Sequence, residues 1–243
     1  MVVVVKGKVV IVTGASQGLG KELSLKLAKL GAKVALVART EKLLKEVKQA
    51  IAKEGGTTEY FVCDVAEQVQ VNKTVKEIVK TFSTVDVLFN GAGIWTTDEF
   101  EENRPELVEQ AFKVNSMGPI YFTKAVLPIL KKKNSGHIFN VVSKAGLDLP
   151  ENKDWLTYTA TKWAVTGYTR ALKYALEGTK IKVTGLFPGG FESNIFETAG
   201  EKEAHGQSWM MRTSDVADAV IYALNVPDDL WIKLCGTFFF GIG

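Results

Sequence analysis

The reading turns on Thr13-Gly14-Ala15-Ser16-Gln17-Gly18-Leu19-Gly20. The stretch follows an apolar, β-branched run at 9–12 and leads into Leu19, Leu23, Leu27 and Leu30, whose three- and four-residue spacing is the buried stripe of a helix. Glycines between a strand and a helix let the backbone curl tightly. They also let phosphate oxygens approach the amides at the helix N-terminus. Any tight turn can use glycine, so the position decides: the motif ends the first strand and opens the first helix, where a nucleotide-phosphate turn belongs.

Outward from this turn, short β-branched runs alternate with longer helical patterns. Runs at 9–12, 34–37, 59–62, 85–89, 137–142 and 182–186 predict strands, mostly apolar throughout, as strands buried in a parallel sheet require. Helices are predicted over 18–30, 41–53, 67–82, 105–131, 157–177 and 214–225, the last capped by Ser214 with Asp215 and Asp218 near its positive end. Strict alternation implies right-handed crossovers and a doubly wound α/β sheet, in one domain spanning 1–243. The segment 188–213 breaks the rhythm and reads as a lid loop over a site.

Composition narrows the partners. A hydrophobic share of 46% against 23% charged residues suits a globular domain with a sizeable core. No apolar run approaches the length of a bilayer span, and residues 1–5 lack the regions of a signal peptide, so a cytoplasmic chain with no membrane partner is expected. The net charge of +3 is too small to argue for nucleic acid, and Lys131 to Lys133 read as cations closing a helix. Cys63 and Cys235 lie far apart and read as small buried hydrophobes; His137 and His205 have no partners at ligand spacing, so no metal is expected.

Two further stretches carry chemistry. Val37-Ala38-Arg39-Thr40 ends the second strand, where an acidic residue commonly bonds the ribose hydroxyls of NAD. Here that position is neutral Ala38, and Arg39 beside it suits the 2′-phosphate of NADP. Tyr158-Thr159-Ala160-Thr161-Lys162 places a tyrosine and a lysine on one helix face. A free phenol titrates near about 10, and a nearby ammonium favours its phenolate; such a group can protonate a carbonyl oxygen or deprotonate an alcohol.

The Thr-Gly-x-x-x-Gly-x-Gly spacing and the Tyr-x-x-x-Lys pair together resemble the short-chain dehydrogenase/reductase family in its single-domain form, at matching intervals from Lys8 to about Leu224. The resemblance implies a Rossmann-like, mostly parallel seven-stranded sheet flanked by helices, with the seventh strand near 230–240. It implies that Gly14, Ser16, Gln17, Gly18, Leu19 and Gly20 hold the cofactor phosphates and ribose, and that Asp64 bonds the adenine with Val65 beside it. Asn90, Ala92 and Gly93 would keep the backbone close to the cofactor, although Gly91 stands where the family has a second asparagine. Pro188 and Gly189 would lie against the nicotinamide, and Ser193, a threonine in the family, would bond its carboxamide.

The same resemblance implies a catalytic set. Ser143 fixes the substrate oxygen and Tyr158 exchanges its proton. Lys162 lowers the tyrosine pKa and holds the nicotinamide ribose, and Asn115 kinks the fourth long helix and anchors a relay water. Val142 replaces the first of the family's paired serines, and the 15-residue step from Ser143 to Tyr158 implies a small insertion at 148–155. The expected activity is NADP(H)-dependent hydride transfer to or from a small carbonyl or alcohol, in a homodimer or homotetramer, with NAD(H) the alternative cofactor. Trp95, Leu149, Trp155, Phe191, Phe196, Trp209, Met210 and Met211 suggest an apolar or aromatic substrate. A 3-oxoacyl thioester, a sugar or a steroid is an alternative substrate. A nucleotide-sensing regulator would show a broken catalytic set, and an epimerase or dehydratase would need a larger substrate domain.

Overall fold

The computed structural model describes residues 5–96, 105–149, 155–193, 195 and 210–226. Six strands form one sheet: β1 Val9–Thr13, β2 Lys33–Ala38, β3 Thr57–Val62, β4 Val87–Asn90, β5 Gly136–Val141 and β6 Ile181–Leu186. Their order is β3-β2-β1-β4-β5-β6, and all five pairings are parallel. Residues 230–240, where a seventh strand was expected, lie outside the described residues.

The helices are α1 Gly18–Lys29, α2 Glu41–Lys53, α3 Gln68–Phe82, α4 Pro105–Ala111, α5 Gly118–Lys133, α6 Leu156–Ala175 and α7 Thr213–Leu224. They cover both sheet faces. One apolar cluster joins Val10, Val12, Val34 and Leu36 to Leu23 and Leu27 of α1, Leu44 and Ile51 of α2, and Val220 of α7. The other joins Ile11, Ala35, Leu88 and Ile138 to Val75 and Ile78 of α3, Phe122 and Val126 of α5, and Leu172 of α6. Alternate residues of each strand serve opposite layers, which is why the runs read as apolar throughout.

Two expectations need correction. The single helix predicted over 105–131 is interrupted by a π-helical stretch, Phe112–Met117, with Asn115 inside it. Pro119 follows closely and has no amide hydrogen to give the carbonyl four residues back, that of Asn115, so regular α geometry cannot close there. Ser214 does not cap α7: the helix begins one residue earlier, Arg212 is its extended N-cap residue, and the Arg212 guanidinium grips Asp215 at 2.9 and 2.8 Å. An acidic residue in the first turn suits the helix dipole as expected.

The neighbours of β1 are β2 on one side and β4 on the other, so the crossovers run in opposite directions from it. A crevice therefore opens beyond the carboxyl ends of β1 and β4, where Thr13 stands in register with Asn90.

Candidate active site

The turn after β1 is held shut from β4. The Thr13 hydroxyl donates to the Phe89 carbonyl (3.3 Å) and accepts the amides of Gly91 (3.0 Å) and Ala92 (3.1 Å), so one donor and two lone pairs are all used. Gly14 has φ +73°, and a Cβ there would stand 3.0 Å from the Ala92 backbone. At Gly20 a Cβ would fall 2.3 Å from the Gly14 carbonyl oxygen, so the first turn of α1 packs directly on the loop. The N-cap residue of α1, Gln17, makes no side-chain cap bond, and no acid occupies the first turn. Amides at that helix end, in a glycine cradle, fit a dinucleotide pyrophosphate.

The remaining nucleotide candidates divide. Ser16, Gln17 and Gly18 are partly exposed on the turn, while the Leu19 side chain is buried in the core and leaves only its amide for a phosphate. Arg39 follows β2, and its Nη1 lies 3.9 Å from Asp64 Oδ2. The other Asp64 oxygen accepts the Ala66 amide at 2.9 Å. The ladder bond from Cys63 N to Ala38 O (2.9 Å) brings these two residues together at adjacent strand ends. Val65 does not lie open beside them; its side chain packs where a Cβ on Gly118 would meet it at 2.9 Å. The Asn90 amide likewise turns into the sheet, where Nδ2 donates to Asn140 Oδ1 at 2.9 Å and Asn140 Nδ2 donates to Thr169 at 2.9 Å. Ser193 comes within 3.5 Å of where a Gly18 Cβ would stand, so the segment after β6 passes over the glycine turn. Pro188 accepts the Lys144 amide at 2.8 Å.

The catalytic candidates gather at the end of β5. Ser143 opens a short 3₁₀ turn, Lys144–Gly146; its Oγ accepts the Ala145 amide at 3.2 Å, and the side chain lies near enough to Tyr158 to moderate its phenol. Lys162, one turn further along α6, donates to the Val141 carbonyl at 3.2 Å and lies 5.4 Å from the Tyr158 ring centre. Asn115 reaches the same group: Oδ1 accepts the Ile94 amide (2.8 Å), while Nδ2 donates to the Ile94 carbonyl (3.0 Å) and to Thr161 (3.2 Å). A Cβ on Gly93 would stand 3.3 Å from Asn115 Oδ1 and 3.8 Å from Lys162 Nζ.

Burial acts on both members of the pair. It pushes the Tyr158 phenol up to about 12, with the Ser143 side chain opposing in part, and pushes Lys162 down to about 8. The Lys162 amine lies 5.4 Å from the ring centre, and desolvation is the largest influence on the phenol. At neutral pH the phenol is protonated.

The apolar candidates also divide. Trp95 packs on Tyr158 (ring centres 4.4 Å) and edge-on against Trp155 (4.7 Å). Phe191 and Met211 instead pack on the core beside α1 and α7, and Leu149 is exposed. Met210 is partly buried. Phe196 and Trp209 lie outside the described residues, as does most of the expected lid. Its two ends are joined: Phe191 bridges Met211, with Met211 N donating to Gly190 O and Glu192 N to Met211 O, both at 3.0 Å.

The short chain dehydrogenase family profile matches residues 8–204. The chain belongs to the short-chain dehydrogenase family. This short-chain dehydrogenase is 32% identical to an uncharacterized oxidoreductase of Staphylococcus epidermidis, covering 92% of this chain and 93% of that one. It is 33% identical to one of Listeria monocytogenes, covering 93% and 94%. Among solved structures it is similar to the Thermococcus sibiricus alcohol dehydrogenase complexed with 5-hydroxy-NADP, at TM-score 0.84 and 25% identity over 94% of each chain. It is also similar to a serine dehydrogenase complexed with NADP⁺, at 0.86 and 25% over 93% and 92%. A Burkholderia phymatum family member in complex with NAD gives 0.83 and 27% over 90% and 86%. The chain is an oxidoreductase of this family, and nucleotide-bound relatives of the same fold support a nicotinamide cofactor.

Several contributors to this short-chain dehydrogenase site were missed in the sequence: Thr13, Ser116, Asn140, Thr161 and Thr169. Asn140 had a signal, since a carboxamide inside a strand buried on both faces must find a partner. Among the described residues no cluster of three or more metal-type ligands occurs, and no helix is long and apolar enough to cross a membrane.

Proposed function

We propose that the protein is an NADP(H)-dependent carbonyl reductase acting on small, apolar or aromatic ketones or aldehydes. One observation carries the reading: Ser143, Tyr158 and Lys162 come together at the carboxyl end of β5, with Ser143 near enough to moderate the Tyr158 phenol and Lys162 one turn away along α6. The cofactor supplies the hydride. Ser143 orients the carbonyl oxygen, and Tyr158, protonated at neutral pH, donates to the alkoxide as it forms. With the phenol raised to about 12 it is the protonated form that meets a carbonyl substrate at neutral pH, and the reverse oxidation uses the same group. Lys162 anchors the nicotinamide ribose. Trp95 and Trp155, stacked beside Tyr158, offer flat apolar surface to the substrate. Arg39, with Ala38 in place of a carboxylate, supports the choice of NADP(H).

The same proposal includes a cytoplasmic homodimer or homotetramer, supported by Leu156, Trp163 and Tyr174 exposed on α6. Turnover of NADPH against a panel of aromatic and aliphatic carbonyl compounds tests the activity. Tyr158→Phe should lower kcat by roughly two to four orders of magnitude, the range for a lost acid–base group, with little change in nucleotide affinity. Near-normal rates in that variant would overturn the assignment.

A further inference from the structure

We propose that Thr161 is a positioning residue of this site, fixing the Asn115 amide and, through it, the backbone that carries Trp95 against Tyr158. The inference rests on the proposed function. Thr161 is fully buried on α6, between Tyr158 and Lys162. Its hydroxyl donates to the Tyr158 carbonyl at 2.7 Å, which uses its only hydrogen. Only lone pairs then face Asn115, so the amide must present Nδ2 to Thr161, at 3.2 Å. That choice leaves one Nδ2 hydrogen for the Ile94 carbonyl and Oδ1 for the Ile94 amide. A flipped amide would set carbonyl against carbonyl and N–H against N–H. The hydroxyl of Thr161 therefore selects the one orientation in which Asn115 pairs with Ile94 at both ends.

Neighbouring bonds hold the clamp rigid. The Ser116 hydroxyl, next to Asn115 in the π stretch, donates to the Thr161 carbonyl at 3.1 Å. Thr166 ties α6 to the turn after Ser143 by donating to the Gly146 carbonyl at 2.7 Å. Beyond Ile94, Trp95 stacks on the Tyr158 ring at 4.4 Å. The route thus leaves α6 at Thr161 and returns to it at Tyr158. Thr161 acts through Asn115 and Trp95, without touching the reacting atoms.

The test compares Thr161→Val, which keeps shape and removes the hydroxyl, with Thr161→Ser, which keeps the hydroxyl. Thr161→Val should lower kcat about ten- to hundredfold, the scale of a small misplacement, while the NADPH dissociation constant stays within about twofold. Thr161→Ser should restore the larger part of kcat. In an Asn115→Ala background, Thr161→Val should have no further effect on kcat. Unchanged kcat in Thr161→Val, equal losses in Val and Ser, or the same loss in both backgrounds would overturn the role. Should Thr161→Val not fold, Thr161→Ala is read by the same comparisons. Tyr158→Phe run alongside separates the two claims: if it abolishes turnover while Thr161→Val leaves kcat unchanged, only the role of Thr161 falls, whereas turnover retained in Tyr158→Phe removes the proposed function itself.

Discussion

Tyr158 and Lys162 share one helix face, yet the same burial moves them in opposite senses, to about 12 and about 8. Between about 8 and the ordinary lysine value of 10.5, the unfolded chain holds a proton on Lys162 that the folded chain has lost, so stability rises with pH there. Above the ordinary phenol value of 10.0, the unfolded chain loses a proton that folded Tyr158 keeps, so stability falls again. Urea midpoints should therefore climb from about pH 8 toward pH 10 and then decline, with a slope of at most about 1.4 kcal/mol per pH unit from this lysine. Lys162→Met should abolish the climb, and a flat wild-type profile would contradict it. At the other end of the cofactor site, Arg39 is half-exposed and 3.9 Å from Asp64, a loose pair that leaves the guanidinium available. A charge-assisted contact with a 2′-phosphate contributes about 1.5–3 kcal/mol, or roughly ten- to hundredfold in affinity. Ala38→Asp with Arg39→Leu should invert the NADPH:NADH preference in paired titrations; equal affinities in the wild type would make Arg39 an ordinary surface charge.

Secondary elements show which features a sequence discloses. Strand and helix order was legible because the central strands β1, β2 and β4 are apolar on both faces and helices such as α1 and α2 have a buried stripe, so burial is written as periodicity; the edge strand β3, with Thr57, Thr58 and Glu59, carries the pattern least. The glycine turn was legible because no other residue fits against Ala92 or Gly14. A break of the long helix at Asn115 was expected from the family resemblance, but its π form was not, since its cause is a missing donor at Pro119 joined to a tertiary demand on Asn115. The Asn115 clamp closes over residues far apart in sequence, so the bonds around it stayed hidden, whereas the Tyr158–Lys162 spacing lies within one helix and was visible. Gly91 is a case of the same kind. The family's asparagine is absent there because a Cβ would stand 2.5 Å from the Phe89 ring and 3.0 Å from the Thr13 carbonyl. Gly91→Asn should therefore overpack the end of β4, at a cost of about 1–3 kcal/mol by thermal unfolding. Phe89→Leu in the same chain should recover part of the loss. Equal stability of Gly91→Asn and wild type would show that the strand end yields freely.

At the scale of the whole molecule, the sheet divides the work between its two faces and one edge of its strands. Both faces are filled by helices, and the chemistry sits where β1, β4 and β5 run out beside one another. Binding and proton transfer thus draw on residues held by separate crossovers, and the crevice at the switch in direction lets them meet. The segment after β6 has a different relation to this scaffold. Gly190, Glu192 and Met211 are hydrogen-bonded together, so the two described ends of the segment are tied to each other. That tie works like a graft on a rootstock: a change in length beyond Ile195 need not move β6 or α7, because the junction is already closed. On the proposed function, such a scaffold can meet new substrates by replacing one insert while the sheet that carries the proposed hydride-transfer residues keeps its place.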